Sequence, residues 1–423
     1  MFVLLSAIIS MEIFSDIFFN LFIFLAIYVQ VFLLMTFLEK RRNSSCTTHE
    51  IISISYPSVT VIVPCFNEES TVTQTVDSLL SLDYPKDKLF ISIVDDGSTD
   101  NTWGVIQRFV GHSNISIFKK DNGGKHTALN LAISNLKTDL VGSLDADSFA
   151  DKCALKNIAR HFQDPLTMAV VPSILIHEPK NIVELAQNAE YQLSVFVKKM
   201  LALLGAMHVT PGPLSIFRKE VFEKIGPYRK AYNTEDAEMA LRMQKNRLKI
   251  DYCLDAVIYT KAPNTVKKLY KQRLRWTYGF LKNSIDYRGI FFRSKYGNVS
   301  FFTLPAGIVS LLAVIFIVFT LIKEIFNMAI DKIAEFRAVG LNFNFFSFKF
   351  DWFYVDTKSV TFMMILLYIL VVVSILIGKR LSKIKPRLSL DMLYFVILSG
   401  FLAPFWILKS FYNLVFFKDT TWR

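Results

Sequence analysis

The stretch Phe90-Ile91-Ser92-Ile93-Val94-Asp95-Asp96 decides the fold class of this 423-residue chain. It is a short apolar run that ends in two acids. Two similar runs accompany it, SVTVIVPCF at 58–66 and LVGSLDAD at 140–147, and helical periods lie between them. This alternation predicts a doubly wound α/β domain. In such folds ligands bind beyond the carboxyl ends of the strands, where this sequence has Asn67-Glu68, Asp95-Asp96 and Asp145-Ala146-Asp147.

Four apolar segments flank this region. Residues 17–38 are apolar over about the 20 residues that a membrane-spanning helix needs, and Lys40-Arg41-Arg42 follow, which predicts a cytoplasmic end by the positive-inside rule. The other segments are 300–322, 359–378 and 391–416. Counting these spans puts the C-terminus outside. Its basic, Trp-containing sequence at 417–423 is typical of a cytoplasmic segment, so this point stays open.

The composition agrees with a membrane protein. The hydrophobic fraction is 52% and the mean hydropathy is +0.36. Lys and Arg number 48 and Asp and Glu 36, a net charge of +12, which suits anionic lipid and then phosphate-bearing substrates. The chain lacks zinc-finger spacing and an RNA-binding aromatic signature, so nucleic acid is not expected as a partner. Its four cysteines form no CxxC pair and are expected to be free thiols of a reducing compartment.

Acidic pairs at two places suggest chemistry. Asp145 and Asp147 are costly to bury at a strand end unless a cation offsets their charge, and their oxygen ligands suit Mg²⁺ or Mn²⁺ bound to a diphosphate. A surface turn is the plain alternative for such a pair. Glu235 and Asp236 open a predicted helix behind Thr234. A helix cap with first-turn acids explains that motif locally, although the same carboxylates are rigidly placed for proton transfer.

A third motif is Gln272-Arg273-Leu274-Arg275-Trp276. Gln272, Arg275 and Trp276 fall at i, i+3 and i+4, so they share one helical face. Residues 184–205 and 265–285 both read as amphipathic helices of the membrane interface. An interfacial role alone would explain the lysines near this motif, but not the particular pentapeptide.

Taken in order, the motifs resemble those of the processive family-2 glycosyltransferases, the cellulose, hyaluronan and poly-N-acetylglucosamine synthases, over roughly residues 57–283. The resemblance implies a GT-A-type domain inserted between N-terminal and C-terminal transmembrane helices. It further implies inverting transfer from a UDP-sugar to a growing polysaccharide, by a multi-pass plasma-membrane protein with a cytoplasmic catalytic domain. We therefore expect a transmembrane segment at 1–42, a linker at 43–56, the catalytic domain with its interfacial helices at 57–290, and a transmembrane region at 291–423.

The resemblance also implies a role for each site residue. Asp236 is the expected general base, with Glu235 beside it in the catalytic motif. Asp145 and Asp147 are the expected metal ligands, Trp276 and Gly212 the acceptor contacts. The predicted donor-binding residues are Glu68, Asp95, Asp96, Lys125, Asp145, Gln272, Arg273 and Arg275. The acceptor loop 209–214 has Pro211 where relatives often carry Ser, Cys or Ala, so the acceptor itself is open.

Two other functions remain. The first is a non-processive enzyme that adds one sugar to a lipid such as ceramide, diacylglycerol or polyprenyl phosphate, because four membrane segments leave little material for a glycan channel. The second is a catalytically inactive nucleotide-sugar binder or assembly subunit. The intact metal, base and Gln/Arg/Trp motifs argue against it. Membrane lipids are expected partners in every case, and the sequence leaves room for accessory export subunits.

Overall fold

A computed structural model describes residues 2–43, 56–339 and 359–416. Most of the predicted linker 43–56 and all of the C-terminal segment 417–423 lie outside the described residues. The chain divides into two units, one within Met1–Met35 and Ala306–Val373, the other within Thr36–Pro305 and Ser374–Arg423. The second unit carries the sheet and all predicted site residues.

The sheet unit alternates strands and helices, as predicted for residues 57–260. In chain order the elements are α1 (Phe2–Asn43), β1 (Val59–Cys65), α2 (Val72–Leu80), β2 (Leu89–Asp96), α3 (Thr102–Ile106), β3 (Ile115–Lys120), α4 (Lys125–Ser134), β4 (Leu140–Ser143), β5 (Ser148–Ala150), α5 (Ala154–His161), β6 (Thr167–Ile176), α6 (Ile182–Leu203), β7 (Ile216–Arg218), α7 (Lys219–Ile225), α8 (Glu235–Lys245), β8 (Lys249–Thr260) and α9 (Val266–Asp286). The three quoted runs form β1, β2 and β4, and the two predicted amphipathic helices form α6 and α9.

The eight strands form one mixed sheet in the order β3-β2-β1-β4-β7-β6-β8-β5. β1 pairs in parallel with both β2 and β4, with Val59 opposite Leu89 on one side and Leu140 on the other. Strand order therefore reverses around β1, and the carboxyl ends of β1, β2 and β4 meet at one edge. This is the switch point at which open α/β sheets bind ligands. Antiparallel pairing begins beyond β4, where β7 pairs with β4 and β6.

Both faces of the sheet are covered. Val61 and Val63 of β1 belong to one buried cluster with residues of α2 and α5, whereas Ile62 between them belongs to a second cluster with residues of α4 and α8. All three side chains are at most 1% exposed. The apolar run at β1 is continuous because a strand buried on both faces has no solvent side.

Three further helices complete the chain, α10 (Leu304–Val339), α11 (Ser359–Leu381) and α12 (Leu390–Val415). Each of the four apolar segments of the sequence lies in a helix whose length and composition suit a membrane span: Ile17–Glu39, Val299–Asn327, Phe362–Leu381 and Leu390–Val415. In the smaller unit, Phe22 packs on Phe316 with ring centroids 5.5 Å apart. In the sheet unit α12 contacts α6 and α9, and the Oγ of Ser410 donates to the carbonyl of Leu274 at 3.4 Å.

Candidate active site

The loops after β1 and β2 are bonded to each other. The backbone of Asn67 is left-handed, with φ of 57°, and its Oδ1 accepts from the backbone N–H of Thr99 at 2.8 Å. The N–H of Asn67 donates to the Oγ of Ser98 at 3.1 Å, and that of Glu68 to the Oγ1 of Thr102 at 2.8 Å. These contacts bring the predicted Glu68 to the loop that follows Asp95 and Asp96.

The two acids that end β2 have different surroundings. Asp96 is 3% exposed, and its carboxylate accepts from Lys120 at 2.6 Å and from the backbone N–H groups of Gly123 and Gly124 at 3.1 and 2.9 Å. Asp95 is fully buried, and one of its oxygens, Oδ2, has no hydrogen-bond partner within the described ranges. Asp96 thus anchors the turn before α4, a structural role that the sequence did not indicate. Its nucleoside contact stays a prediction.

Lys125 joins the two acidic motifs. It begins α4, and its Nζ lies 2.5 Å from Oδ1 of Asp145 and 3.8 Å from Oε1 of Glu235. Burial disfavours the ammonium, but the attraction of Asp145 and then of Glu235 outweighs it and raises the pKa of Lys125 above its ordinary value. Burial also raises the pKa of Glu235, which Lys125 opposes. The sequence predicted these residues separately, and the fold brings them together.

The pair Asp145 and Asp147 fits a divalent cation. Burial raises the pKa of Asp147 to about 7, and the charges of Asp145 and then Glu68 add to this rise. Lys125 pairs with Asp145, whereas Asp147 forms no ion pair with a basic side chain among the residues that the structure describes. Within the described ranges, no cluster of three or more His, Cys, Asp or Glu side chains forms a metal site. Mg²⁺ sites commonly use one or two carboxylates and complete the coordination shell with substrate phosphate and water. The two carboxylates of Asp145 and Asp147 suit this chemistry.

The predicted acceptor loop passes close to Lys125 and Asp145. The carbonyl of Gly212 accepts from the Oγ of Ser143 at 3.0 Å, which ties the loop to the end of β4. A Cβ on Gly212 would lie 2.5 Å from the Nζ of Lys125 and 2.8 Å from Oδ1 of Asp145. The carbonyl of Asp236 accepts from Thr210 of the same loop at 2.9 Å. Only glycine therefore allows the loop to approach the two charged groups so closely.

The two arginines of the pentapeptide 272–276 on α9 have different partners. The Nη1 of Arg275 donates to the carbonyl of Asn233 at 3.0 Å, immediately before Thr234-Glu235-Asp236. Arg273 turns to α6, where its Nη2 bonds Glu190 at 2.7 Å, and its guanidinium stacks 4.4 Å from the ring centroid of Trp276. Trp276 is 38% exposed. Arg273 thus orients Trp276, whereas its predicted contact with the diphosphate stays a prediction.

Several groups near this site were not predicted. Lys198 of α6 has its pKa lowered to about 8 by burial, which the charge of Asp236 opposes. His208 has its pKa lowered to about 4 by burial and then by Lys198. Burial raises the pKa of Tyr191 to about 12. The charge of Arg273 opposes this rise, and that of Asp147 adds to it weakly. In the sequence Tyr191 and Lys198 look like ordinary residues of an amphipathic helix and His208 like a residue of the loop after it, because their partners are remote in the chain.

The fold and the acidic edge define the class. A mixed sheet with acids at or just beyond the carboxyl ends of β1, β2 and β4 agrees with the GT-A-type fold that the resemblance implies. The mannosyltransferase PcManGT from Pyrobaculum calidifontis, solved in complex with GDP-Man and Mn²⁺, aligns with a TM-score of 0.57 over 94% of this chain and 100% of that chain. Because the two sequences are 17% identical, this likeness confirms the fold alone.

The chain belongs to glycosyltransferase family 2. The family described as "Glycosyltransferase like family 2" matches residues 57–279, which confirms the predicted family. A poly-beta-1,6-N-acetyl-D-glucosamine synthase of Staphylococcus aureus is 30% identical over 52% of this chain and 54% of that protein. The beta-monoglucosyldiacylglycerol synthase of Synechocystis is 26% identical over 57% of this chain and 51% of that protein. The chain thus spans about half the length of the curated relatives it matches.

Proposed function

We propose that this protein is an inverting glycosyltransferase that transfers sugar from a UDP-sugar to a growing polysaccharide at a membrane. The observation that carries the proposal is the pair of contacts that Lys125 makes. Its Nζ lies 2.5 Å from Asp145, a predicted metal ligand, and 3.8 Å from Glu235, the neighbour of the predicted base Asp236. Separate surface turns or helix caps would have no reason to meet at one lysine. This meeting at the switch point of the sheet argues for a catalytic site, and against an inactive binder.

The transfer step needs one base and one leaving group. Asp236 accepts the proton of an acceptor hydroxyl, whose oxygen forms the new bond to the anomeric carbon. The bond from that carbon to the diphosphate oxygen breaks, and the nucleoside diphosphate leaves with the electron pair. A single displacement inverts the anomeric centre without a covalent enzyme intermediate. Asp236 suits this task because it stands on the first turn of α8 and is only partly buried.

The remaining residues bind and orient. Asp145 and Asp147 would hold Mg²⁺ or Mn²⁺, which would neutralise the diphosphate. Arg275 and Gln272 would face the phosphates, and Trp276, which Arg273 holds by stacking, would offer its ring to the acceptor sugar. Glu68, Asp95 and Asp96 would form the nucleoside side of the site, with Lys125 beside the diphosphate.

Transfer of one sugar to a lipid is the second candidate. It is favoured by the Synechocystis relative, named as a glucosyldiacylglycerol synthase, and by the presence of only four candidate spans within the described residues. The staphylococcal relative, named as a synthase of poly-N-acetylglucosamine, favours the polymer. Both reactions need the same base and donor site, so they differ only in the acceptor.

The proposal includes the arrangement in the membrane. The catalytic domain, residues 57–290, would face the cytoplasm between spans at 1–42 and 291–423 of a plasma-membrane protein, and accessory export subunits would join a polymerising version. The basic run Lys40-Arg41-Arg42 and the basic loop 379–387 support this orientation.

Sizing the product tests the proposal. Purified protein in lipid nanodiscs is supplied in turn with UDP-GlcNAc, UDP-Glc, UDP-GlcA and GDP-Man, with and without Mn²⁺, and both nucleotide release and product size are measured. Metal-dependent release with a long polymer is the expected result. A single-sugar lipid would move the assignment to the second candidate. Folded protein that releases nucleotide from none of these donors would count against the proposal.

A further inference from the structure

A cavity of about 1090 Å³ lies next to the predicted catalytic motif, since Asn233, the residue before Thr234, lines it. Helix α8, the C-terminal half of α9 and the segment 224–233 form its walls, and none of the residues predicted as catalytic, donor-binding, acceptor-binding or metal-binding lines it. Its size matches the upper range of small-molecule sites, about 300–1,000 Å³. The cavity is thus large enough for a ligand of nucleotide size.

The lining of this cavity is strongly cationic. Five basic side chains line it: Lys224, Arg229, Lys230, Arg242 and Lys245. The two acidic ones, Glu238 and Asp286, leave an excess of three positive charges. Both acids are already engaged, since Glu238 accepts from Arg242 at 2.9 Å and Asp286 from Tyr232 at 3.0 Å. Within the described ranges, Lys230 and Lys245 form no ion pair with a carboxylate.

Aromatic side chains cover the rest of the wall. Four tyrosines line the cavity: Tyr232, Tyr278, Tyr287 and Tyr296. Each of them has a lysine over its ring: Lys245 lies 5.6 Å from the centroid of Tyr287, Lys282 lies 5.2 and 5.8 Å from those of Tyr232 and Tyr278, and Lys295 lies 4.8 Å from that of Tyr296. Tyrosine offers a flat face for a ring and a hydroxyl for a hydrogen bond. Cations and tyrosines together suit a ligand that has both phosphate and a ring.

The segment 231–233 of the cavity lining has a strained backbone. Ala231, Tyr232 and Asn233 are all left-handed, with φ of 40°, 57° and 61°. Three consecutive non-glycine residues in this region are unfavourable, and such strain tends to collect at ligand clamps and catalytic loops. Tyr232 and Asn233 line the cavity, and the carbonyl of Asn233 is the group that Arg275 bonds at 3.0 Å. The strained turn therefore separates this cavity from the catalytic motif.

We propose that this cavity is a second binding site, for a phosphate-bearing organic anion of nucleotide size. It is distinct from the donor site, because no donor residue lines it, and it does not depend on the proposed transfer reaction. Lys230 and Lys245 bind the phosphate, and Tyr232 and Tyr296, the two tyrosines of the lining that are not buried, hold the ring. A free nucleotide and a phospholipid headgroup share this chemistry.

Binding and cross-linking of a defined probe test this site. Full-length protein in detergent is titrated with the fluorescent nucleotide mant-ADP, and 8-azido-ADP is cross-linked and mapped by peptide mass spectrometry. The K230Q/K245Q double variant is compared with K267Q, which removes an exposed lysine outside the cavity. Lys230 and Lys245 are themselves exposed, so both variants are expected to keep the wild-type unfolding temperature. In a second arm, the phosphatidylglycerol retained by each protein is counted by native mass spectrometry.

Loss of the two lysines should weaken mant-ADP binding about tenfold, as the loss of two charge-assisted phosphate contacts implies, while K267Q binds as the wild type does. Cross-links should map to residues 224–246 or 278–296. A different outcome is that the wild type fails to bind mant-ADP and retains phosphatidylglycerol that only the double variant loses. That result would support the site and identify its ligand as a lipid headgroup. Equal binding by the wild type and the double variant, or retention of neither probe, would overturn the proposal.

Discussion

Replacing Gly212 by alanine should stop transfer while leaving the fold intact. The added Cβ would lie 2.5 Å from the Nζ of Lys125 and 2.8 and 3.0 Å from the two carboxylate oxygens of Asp145. These atoms are the ends of side chains in a partly exposed site, so they move more easily than backbone does. The cost therefore falls on the geometry of the site.

The size of the effect follows from these distances. An ordinary contact begins at 3.4 Å, so Lys125 must retreat by about 0.9 Å from the 2.5 Å approach. This movement disturbs the ion pair of 2.5 Å between Lys125 and Asp145. A misplacement of about 1 Å in an active site lowers the rate about 100-fold. The same displacement of side-chain ends in a partly exposed site lowers the free energy of unfolding by about 1 kcal/mol or less.

Gly289→Ala is the matched control, because a Cβ there meets nothing within 4 Å. Nucleotide release from the best donor is measured for both variants, and thermal unfolding is followed by intrinsic fluorescence. We expect Gly212→Ala to lose about 100-fold in turnover while its unfolding temperature falls by about 4 °C at most, and Gly289→Ala to match the wild type. Wild-type turnover by folded Gly212→Ala protein would refute the reasoning.

Two further predictions concern stability. Burial lowers the pKa of His161, but its 2.6 Å hydrogen bond to Asp251, together with a further contribution from Cys253, outweighs this and raises the pKa from 6.5 to about 9. The stabilisation by protonated His161 is therefore complete below pH 6.5, and about 2 kcal/mol of it is lost as the pH rises through 9. His161→Gln should remove that part of the pH dependence of thermal unfolding, and an unchanged pH profile would contradict the assignment. Glu190→Gln leaves the buried Arg273 without its anion, which should cost about 2 kcal/mol and increase the mobility of the Trp276 ring. Thermal unfolding and fluorescence anisotropy check this, and a variant as stable as the wild type would show that the ion pair is not needed.

Much of the sheet could be predicted because its central strands are local features of the sequence. The runs at 58–66 and 140–147 contain β1 and β4, and the run at 90–96 covers β2 except for its first residue, Leu89; each run ends near an acid. The mixed character of the sheet could not be predicted in the same way. β7 has only three residues, Ile216–Arg218, too few to show a period, yet it reverses the direction of pairing between β4 and β6.

The site was predictable motif by motif, whereas the contacts between motifs were not. The resemblance implies Lys125 as a donor contact, and only the fold shows that it joins Asp145 to Glu235. The resemblance implies the same donor contact for Arg273 and Arg275, but on the helix they bond different partners, Glu190 and Asn233. Partners so distant in the chain leave no local pattern in one sequence.

The most direct test of the central claim compares Asp236→Asn with the wild type in one experiment. Donor binding is measured by calorimetry, and sugar transfer by nucleotide release, on folded protein in nanodiscs. The asparagine keeps the shape of the side chain but cannot take the acceptor proton, so the variant should bind donor as the wild type does and lose about 100-fold or more in transfer. Transfer at the wild-type rate by folded Asp236→Asn protein would contradict the assignment of the base, and with it the proposed active site.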